Sequence, residues 1–501
     1  MFREGDEAFI RSTGRDPEEV ARQVAALRAP RQAVEILRPA TLGDGISELV
    51  PDRGDAALEA YGEAARAGRL SCFVPASGAG TRLFKSLLRV HRSGVTALAD
   101  IRARADRGDR YAADALHTLV NIRSLAIWPA LASRRCEPES SETILDALLA
   151  DGGLRYDEWP KGLIPFHLYG AAMRSAFIEH TYDAGALTRD GHGGGRLHIT
   201  VSPTHEPRFR SEWTRHRQAV EQETGVRLQI EISEQSPRTD GVALDPDRNL
   251  VRDDQGAVLF RPGGHGALLD NLDRCGGDIV FVRNIDNVAR REVADGLLPC
   301  RRLMCGLLLQ LESAVHGAIR SLRRGLPMGS IHPDVDGRWW TAPDPAWPEA
   351  RRRAHLLGQL NRPVRVCGVV PASGHQGGGP FWVRSGDAPP SVQIVEGAEL
   401  DAESPDVRGI VARSTHFNPV DMVCAIRDVD GTPFALQDFA DHARIIVAEK
   451  VVNGVPSRVF EHPGLWNGGM ARWLTLFVEI PASMFHPVKS LSDLLDTGHR
   501  P

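Results

Sequence analysis

The stretch Ser71–Lys85, SCFVPASGAGTRLFK, constrains the fold more than any other. Cys72, Phe73 and Val74 form a short apolar run. Pro75 to Thr81 is a run of small residues, and Leu83, Phe84, Leu87 and Leu88 then recur at helical spacing. Strand, tight loop and helix in that order are half of a βαβ unit. Gly78 and Gly80 allow backbone N–H groups to come close to a ligand, and the helix N-terminus behind them favours negative charge. Phosphate fits that chemistry, and Arg82 adds a planar fork suited to phosphate oxygens. An ordinary strand-to-helix turn would use the same residues. No Gly-Lys-Ser/Thr follows Gly80, so the loop is not a Walker A loop. Leu83 stands where a dinucleotide fingerprint has its third glycine.

The strand–helix rhythm returns downstream. Arg196–Val201 reads as a strand, Arg208–Gly225 as a helix ended by its glycine, and Val226–Ile232 as a strand with clear alternation. Such connections give a parallel sheet, whose ligands bind beyond the carboxyl ends of the strands. Gln235 lies at such an end, where a side-chain amide can both donate to and accept from a base edge. Pro262–Leu269 reads as a glycine turn opening a helix. Asp278–Asn287 reads as a buried strand ending in Asn284, Asp286 and Asn287. Asp286 suits Mg²⁺, which takes one or two carboxylates plus phosphate oxygens; a turn-forming Asn/Asp cluster is the plain alternative.

Two lysines have unusual settings. Lys161 lies between Pro160 and Pro165, and Lys489 lies between Pro487 and a Ser-x-Ser-Asp helix cap at 490–493. Glu396 follows the strand-like run Gln393–Val395. Asp245-Pro246-Asp247 has the spacing of an Asp-x-Asp metal motif but reads as a turn. Residues 1–70 read as a helical cap with a loop at Leu37–Gly45, and Leu83–Leu149 as a helical block. Gly325–Pro348 reads as a surface excursion, and the glycines of Ser373–Pro380 suit either a mobile loop, the plainer reading, or close contact with a ligand.

Composition narrows the class. The 501 residues carry a net charge of −5, and the arginines are dispersed, so no nucleic-acid footprint stands out. Seven cysteines without a CxxC pair suit a reduced, cytoplasmic protein rather than a disulfide or zinc scaffold. The charged N-terminus lacks an apolar signal core, and no apolar run approaches a membrane span. Oligomeric state is not legible.

Several pieces, in order, resemble the UDP-sugar pyrophosphorylases, the group that includes UTP–glucose-1-phosphate uridylyltransferase and UDP-N-acetylglucosamine pyrophosphorylase. The chain looks most like a bacterial branch of that nucleotide-diphospho-sugar transferase superfamily. The pieces are Gly-x-Gly-Thr-Arg-Leu at 78–83, Pro-Lys-x-Leu-Ile-Pro at 160–165, Pro-Gly-Gly-His-Gly at 262–266, Asn-Ile-Asp-Asn at 284–287 and Phe-x-Pro-Val-Lys-Ser-x-Ser-Asp-Leu-Leu at 485–495. The resemblance implies an α/β fold with a Rossmann-like, mixed and mostly parallel sheet, of the GT-A-like nucleotidyltransferase type. A helical N-terminal cap (1–70) would precede an α/β domain (71–400) with a helical insertion (84–155), and residues 401–501 would complete the site.

Residue by residue, the resemblance implies that Ala76, Ser77, Gly78 and Gly80 cradle the nucleotide and that Arg82 holds the leaving pyrophosphate. Lys161 would contact phosphates, and Gln235 and Gly264 would meet the base. His265 would lie near the sugar phosphate. Asn284 would bind sugar, Asp286 Mg²⁺, and Glu396 and Asn418 sugar hydroxyls. Lys489 would neutralise the reacting α-phosphate. The implied reaction joins an NTP, with UTP the expected one, to a sugar-1-phosphate and releases pyrophosphate. Four positions depart from the family pattern. Ser77 and Phe84 each replace a glycine, Ala267 replaces an aspartate after Gly-His-Gly, and Gly397 replaces a tyrosine after the sugar-side glutamate. The last two leave open a nucleotide-sugar binding or sensing protein without turnover. A glycosyltransferase would share the fold.

Overall fold

The apolar run at Cys72–Val74 is the buried middle of a strand, Leu70–Pro75. In the computed structural model, which describes residues 2–30, 32–49, 54–134, 140–326, 343–372, 377–386 and 388–500, this strand pairs in parallel with Gly194–Val201. Gly194–Val201 pairs in parallel with Arg227–Glu234. The helix Glu206–Thr224 connects the latter two, and Gly225 ends it with φ of 66°. That left-handed conformation suits glycine and stops the helix. The expected βαβ unit is therefore present, with the expected parallel pairing.

The chain forms two compact units. The first comprises Met1–Ala64, Gln235–Val282 and Arg302–Ala482; the second comprises Ala65–Glu234, Arg283–Arg301 and Ser483–Pro501. In the first unit Val364–Pro371 pairs in parallel with Leu474–Glu479, which pairs in parallel with Gly45–Glu48. Asp421–Ala425 runs antiparallel to Val364–Pro371. The protein is thus α/β, with a Rossmann-like, mixed and mostly parallel sheet. The strand Val364–Pro371 is buried over seven successive residues, as a central strand covered on both faces must be.

The stretch expected as a loop at Leu37–Gly45 is a correction. Glu35–Pro39 is a strand paired antiparallel with Gly379–Arg384, which pairs in turn with Ser391–Val395. Thr41–Leu42 and Gly45–Glu48 are also strands. Ile36, Phe381, Val383 and Val395 bury a small core between these strands, and tertiary pairing overrides the weak local signal. Helices at Asp6–Ser12 and Pro17–Arg28 flank an antiparallel sheet of Gly241–Leu244, Phe260–Arg261, Ile446–Val452 and Val455–Glu461.

In the second unit, the described part of 84–155 is mostly helical as expected, with helices at Lys85–Arg92, Leu98–Asp106, Arg110–Val120, Trp128–Ala132 and Ser141–Leu149. Asp245 accepts from Asn249 N–H at 2.8 Å, which makes Asp245–Asp247 the turn that its sequence suggested. Most of Gly325–Pro348, and Ser373–Gln376 of the glycine loop, lie outside the described residues. Among the described residues no helix is long and apolar enough to cross a membrane.

Candidate functional site

In the second unit the small-residue loop is clamped onto the Pro160–Lys161 segment. Gly80 N–H donates to the Trp159 carbonyl at 2.8 Å, and Lys161 N–H donates to the Gly78 carbonyl at 3.0 Å. A Cβ on Gly80 would stand 2.7 Å from the Trp159 oxygen, so only glycine permits this approach. Ala76 N–H is used in pairing, donating to the Thr200 carbonyl at 2.8 Å. Among the described residues the N–H groups of Ser77, Gly78 and Ala79 make no backbone hydrogen bond, and Gly78 and Ala79 are exposed. Arg82 is exposed at the end of one 3-10 turn, Gly80–Arg82. The loop thus presents free donors and a cation, the two features phosphate recognition needs.

Lys161 Nζ lies 2.7 Å from Asp286 Oδ2, and Lys489 Nζ lies 2.9 Å from the same oxygen. The Lys161 and Asp286 side chains are nearly buried, whereas that of Lys489 is 59% exposed. Burial opposes the charge on Asp286, but the two ammonium groups overcome it and hold its carboxyl below the ordinary carboxylate range. Burial pushes the Lys161 ammonium below the ordinary lysine range, with Asp286 acting in the opposite direction. Asp286 Oδ1 is buried and has no hydrogen-bond partner among the described residues. An unpartnered carboxylate oxygen beside two ammonium groups and free N–H donors has the chemistry to take Mg²⁺, which needs one or two protein carboxylates when phosphate oxygens complete its shell. No cluster of three or more metal-ligating side chains occurs among the described residues, so the phosphates would have to supply the rest.

The setting of this cluster explains its rigidity. Val488 N–H donates to the Asp286 carbonyl at 3.0 Å, and His486 N–H donates to Asn287 Oδ1 at 2.8 Å. Arg283 bonds the Asn287 carbonyl at 3.0 Å and pairs with the buried Asp183, which Arg301 also approaches. His180 is fully buried, and burial lowers its pKa to about 3. The neutral ring donates from Nε2 to the Ile285 carbonyl at 3.3 Å. Asn284 is half-buried at the start of this turn, its carbonyl accepting from Asn287 N–H at 3.1 Å.

The first unit carries a separate group of the expected residues. Gly264 has φ of 74°, and a Cβ there would stand 2.6 Å from Glu461 Oε2. His265 follows; its Nδ1 accepts from Leu465 N–H at 3.1 Å, so a neutral ring carries its proton on Nε2. Nε2 lies 3.7 Å from Glu396 Oε2. Trp466 stacks on the His265 ring at 4.3 Å, and its Nε1 donates to Glu396 Oε1 at 3.0 Å. Burial opposes the Glu396 charge, but His265, Trp466 and Asn467 together hold its carboxyl below the ordinary range. Glu396 directly follows the strand Ser391–Val395, as expected.

Gln235 is half-buried, and its Nε2 has no partner among the described residues. Asn418 is buried and its side chain serves the fold: Nδ2 contacts Cys367 Sγ at 2.6 Å and Oδ1 accepts from Val420 N–H. Sequence reasoning missed Trp466 and Asn467. Their signal in the sequence is the glycine-rich run Gly464–Gly469, to which sequence reasoning assigns no role.

No curated protein matches the chain. Among solved structures, it is similar to a variant of UDP-glucose pyrophosphorylase from Leishmania major in complex with UDP-glucose, at 13% identity and TM-score 0.44, covering 98% of this chain and 75% of that one. UDP-glucose phosphorylase from Trypanosoma brucei matches at 11% identity and TM-score 0.48, with coverage of 99% and 80%. UDP-N-acetylglucosamine pyrophosphorylase from Trypanosoma brucei, in complex with an inhibitor, matches at 12% and 0.44, with coverage of 95% and 74%. A model of one protein family, described as a domain of unknown function (DUF4301), matches residues 3–500, and the chain belongs to that family.

Proposed function

We propose that the protein is a nucleotidyltransferase that joins an NTP, with UTP the expected one, to a sugar-1-phosphate and releases pyrophosphate. The observation that carries this reading is the sharing of Asp286 Oδ2 by Lys161 and Lys489, beside a loop with free N–H donors. Two ammonium groups held close together repel each other, so a structure that assembles them has a use for concentrated positive charge. A carboxylate makes that assembly tolerable, and polyphosphate is the ligand that gains from it.

The residues divide the work as follows. N–H groups of Ser77 and Gly78 and the guanidinium of Arg82 bind the phosphate chain and receive the charge of the departing pyrophosphate. Lys161 and Lys489 offset the charge that builds on the α-phosphate as a sugar-phosphate oxygen attacks it in line. The attacking phosphate is already ionised at neutral pH, so these residues need only position and neutralise. Asp286 would hold Mg²⁺ through Oδ1 once phosphate oxygens are present. When bound, Mg²⁺ supplies further neutralisation of the crowded phosphate oxygens. In the first unit the ionised Glu396, oriented by Trp466, is the acceptor suited to a sugar's hydroxyls. Gln235 supplies an unsatisfied amide donor suited to a base edge.

The test is pyrophosphate release from each of four NTPs with Mg²⁺ against a panel of sugar-1-phosphates. Release that needs one NTP and one sugar phosphate together supports the transferase and names both substrates. No release with any pair, together with a thermal shift on UTP or a UDP-sugar, rejects it in favour of a nucleotide-sugar binding protein.

A further inference from the structure

The helix Arg110–Val120, part of the helical segment 84–155, touches the turn that carries Lys489. Asp109 caps this helix, accepting from Tyr111 N–H at 3.0 Å and Ala112 N–H at 3.2 Å. The Arg89 guanidinium lies 4.1 Å from the centre of the Tyr111 ring, which ties the helix to Lys85–Arg92, the helix that follows the phosphate loop. One turn along, Asp114 Oδ1 hydrogen-bonds Ser492 Oγ. An ionised carboxylate can only accept, so Ser492 donates its proton to Asp114.

The remaining contacts run from Ser492 to Lys489. Ser490 Oγ donates its proton to Asp493 Oδ1 at 2.9 Å and lies 2.7 Å from Ser492 Oγ, so the two hydroxyls touch with both protons committed to carboxylates. Asp493 Oδ2 accepts from Lys489 N–H at 2.6 Å and Ser490 N–H at 2.8 Å. Leu491 N–H donates to the Leu83 carbonyl at 3.1 Å, which fastens the same turn to the end of the phosphate loop. The Lys489 N–H is therefore held by the Asp493 carboxylate of its own turn, and Asp114 on the helix Arg110–Val120 holds Ser492 of that same turn. Its side chain is free enough to need such a base, being more than half exposed and anchored only at Nζ.

We propose that Asp114 is a positioning residue for Lys489, acting through Ser492 and the 490–493 turn whose Asp493 holds the Lys489 N–H, and that this is a task of the helical insertion. The inference rests on the transferase reading for its kinetic consequence but not for its structural one. A hydrogen-bonded support of this kind matters because a small displacement of a charge-neutralising group costs catalysis far more than it costs binding.

The experiment compares full-length wild type with Asp114→Ala, Asp114→Asn and Ser492→Ala. Hydrogen exchange of the amides in 488–493 is read by mass spectrometry, and kcat and KM are read separately. Asp114→Ala and Ser492→Ala are expected to speed exchange in this segment about tenfold. They are expected to lower kcat about tenfold or more with KM changed less than about twofold. Asp114→Asn keeps an oxygen for Ser492 and is expected to restore most of both. Ser492→Ala removes only one hydroxyl and decides the matter if Asp114→Ala does not fold. Unchanged exchange in 488–493 overturns the inference, as does a kcat loss that Asp114→Asn does not rescue. Exchange is measurable without turnover. Faster exchange in Asp114→Ala, with no pyrophosphate release by the wild type, therefore supports the positioning and rejects the transferase.

Discussion

Lys161 and Lys489 meet on a single oxygen of Asp286, at 2.7 and 2.9 Å, although the three residues come from three separate segments of the second unit. The two lysines differ in setting. Lys161 is nearly buried, so its charge depends on Asp286, whereas the Lys489 side chain is mostly exposed. That difference separates what each substitution should do.

Lys489→Ala should abolish most turnover and leave the fold intact. The lysine removed is the exposed member and Asp286 keeps Lys161 as its partner, so stability should fall little, by roughly 1 kcal/mol or less. Loss of a group that stabilises transition-state charge costs about a hundredfold or more in kcat. Thermal unfolding alongside the pyrophosphate assay checks both halves.

Asp286→Ala should do more damage to the fold. It leaves Lys161 as a buried charge without its partner, a change that costs about 3–5 kcal/mol. The urea midpoint at neutral pH should fall clearly in this variant and hardly at all in Lys489→Ala.

The pH dependence follows from Lys161. Its folded pKa lies below the ordinary 10.5. The folded state therefore gives up this proton at lower pH than the unfolded state, and stability from this group rises with pH between the lowered value and 10.5. The ammonium that phosphate needs is lost over the same window. In the free enzyme, kcat/KM should fall as pH rises toward 10.5, and Lys161→Arg, which keeps its charge, should flatten that limb. A profile identical in wild type and variant would contradict this role.

Trp466→Phe should disturb Glu396 and nothing in the phosphate cluster. The indole N–H helps hold the Glu396 carboxyl below its ordinary range, and phenylalanine keeps the stacking on His265 without that donor. The Glu396 titration, followed by carbon NMR of labelled glutamate, should move to higher pH. Affinity for a sugar phosphate should weaken by roughly 1–3 kcal/mol, the cost of a lost hydrogen bond to a charged group. Pyrophosphate itself should bind as before.

The parts of the fold that were legible in the sequence were those with local signals. The strand Gly194–Val201, the helix closed by Gly225 and the strand Arg227–Glu234 each carry their own periodicity and stop signal. Lys161, Asp286 and Lys489 could be placed because each sits in a proline- or amide-marked turn. The strand Glu35–Pro39 was not legible, because it is defined by pairing with Gly379–Arg384, far along the chain. The use of Ala76 N–H by Thr200 and of Asn418 by Cys367 and Val420 was hidden for the same reason: a polar group's partner is a tertiary fact. Trp466 was hidden because an aromatic residue among glycines has no spacing that marks a donor to a distant carboxylate.

The measurement that tests the central claim most directly follows the α-phosphorus. The protein is incubated with Mg²⁺, UTP labelled at the α-phosphate and the sugar-1-phosphate panel, and the labelled products are separated. The account predicts label in a nucleotide diphosphate-sugar, formed together with pyrophosphate and only when a sugar phosphate is present. Label that stays in UTP with every acceptor, or that passes to UMP whether or not an acceptor is present, would contradict it.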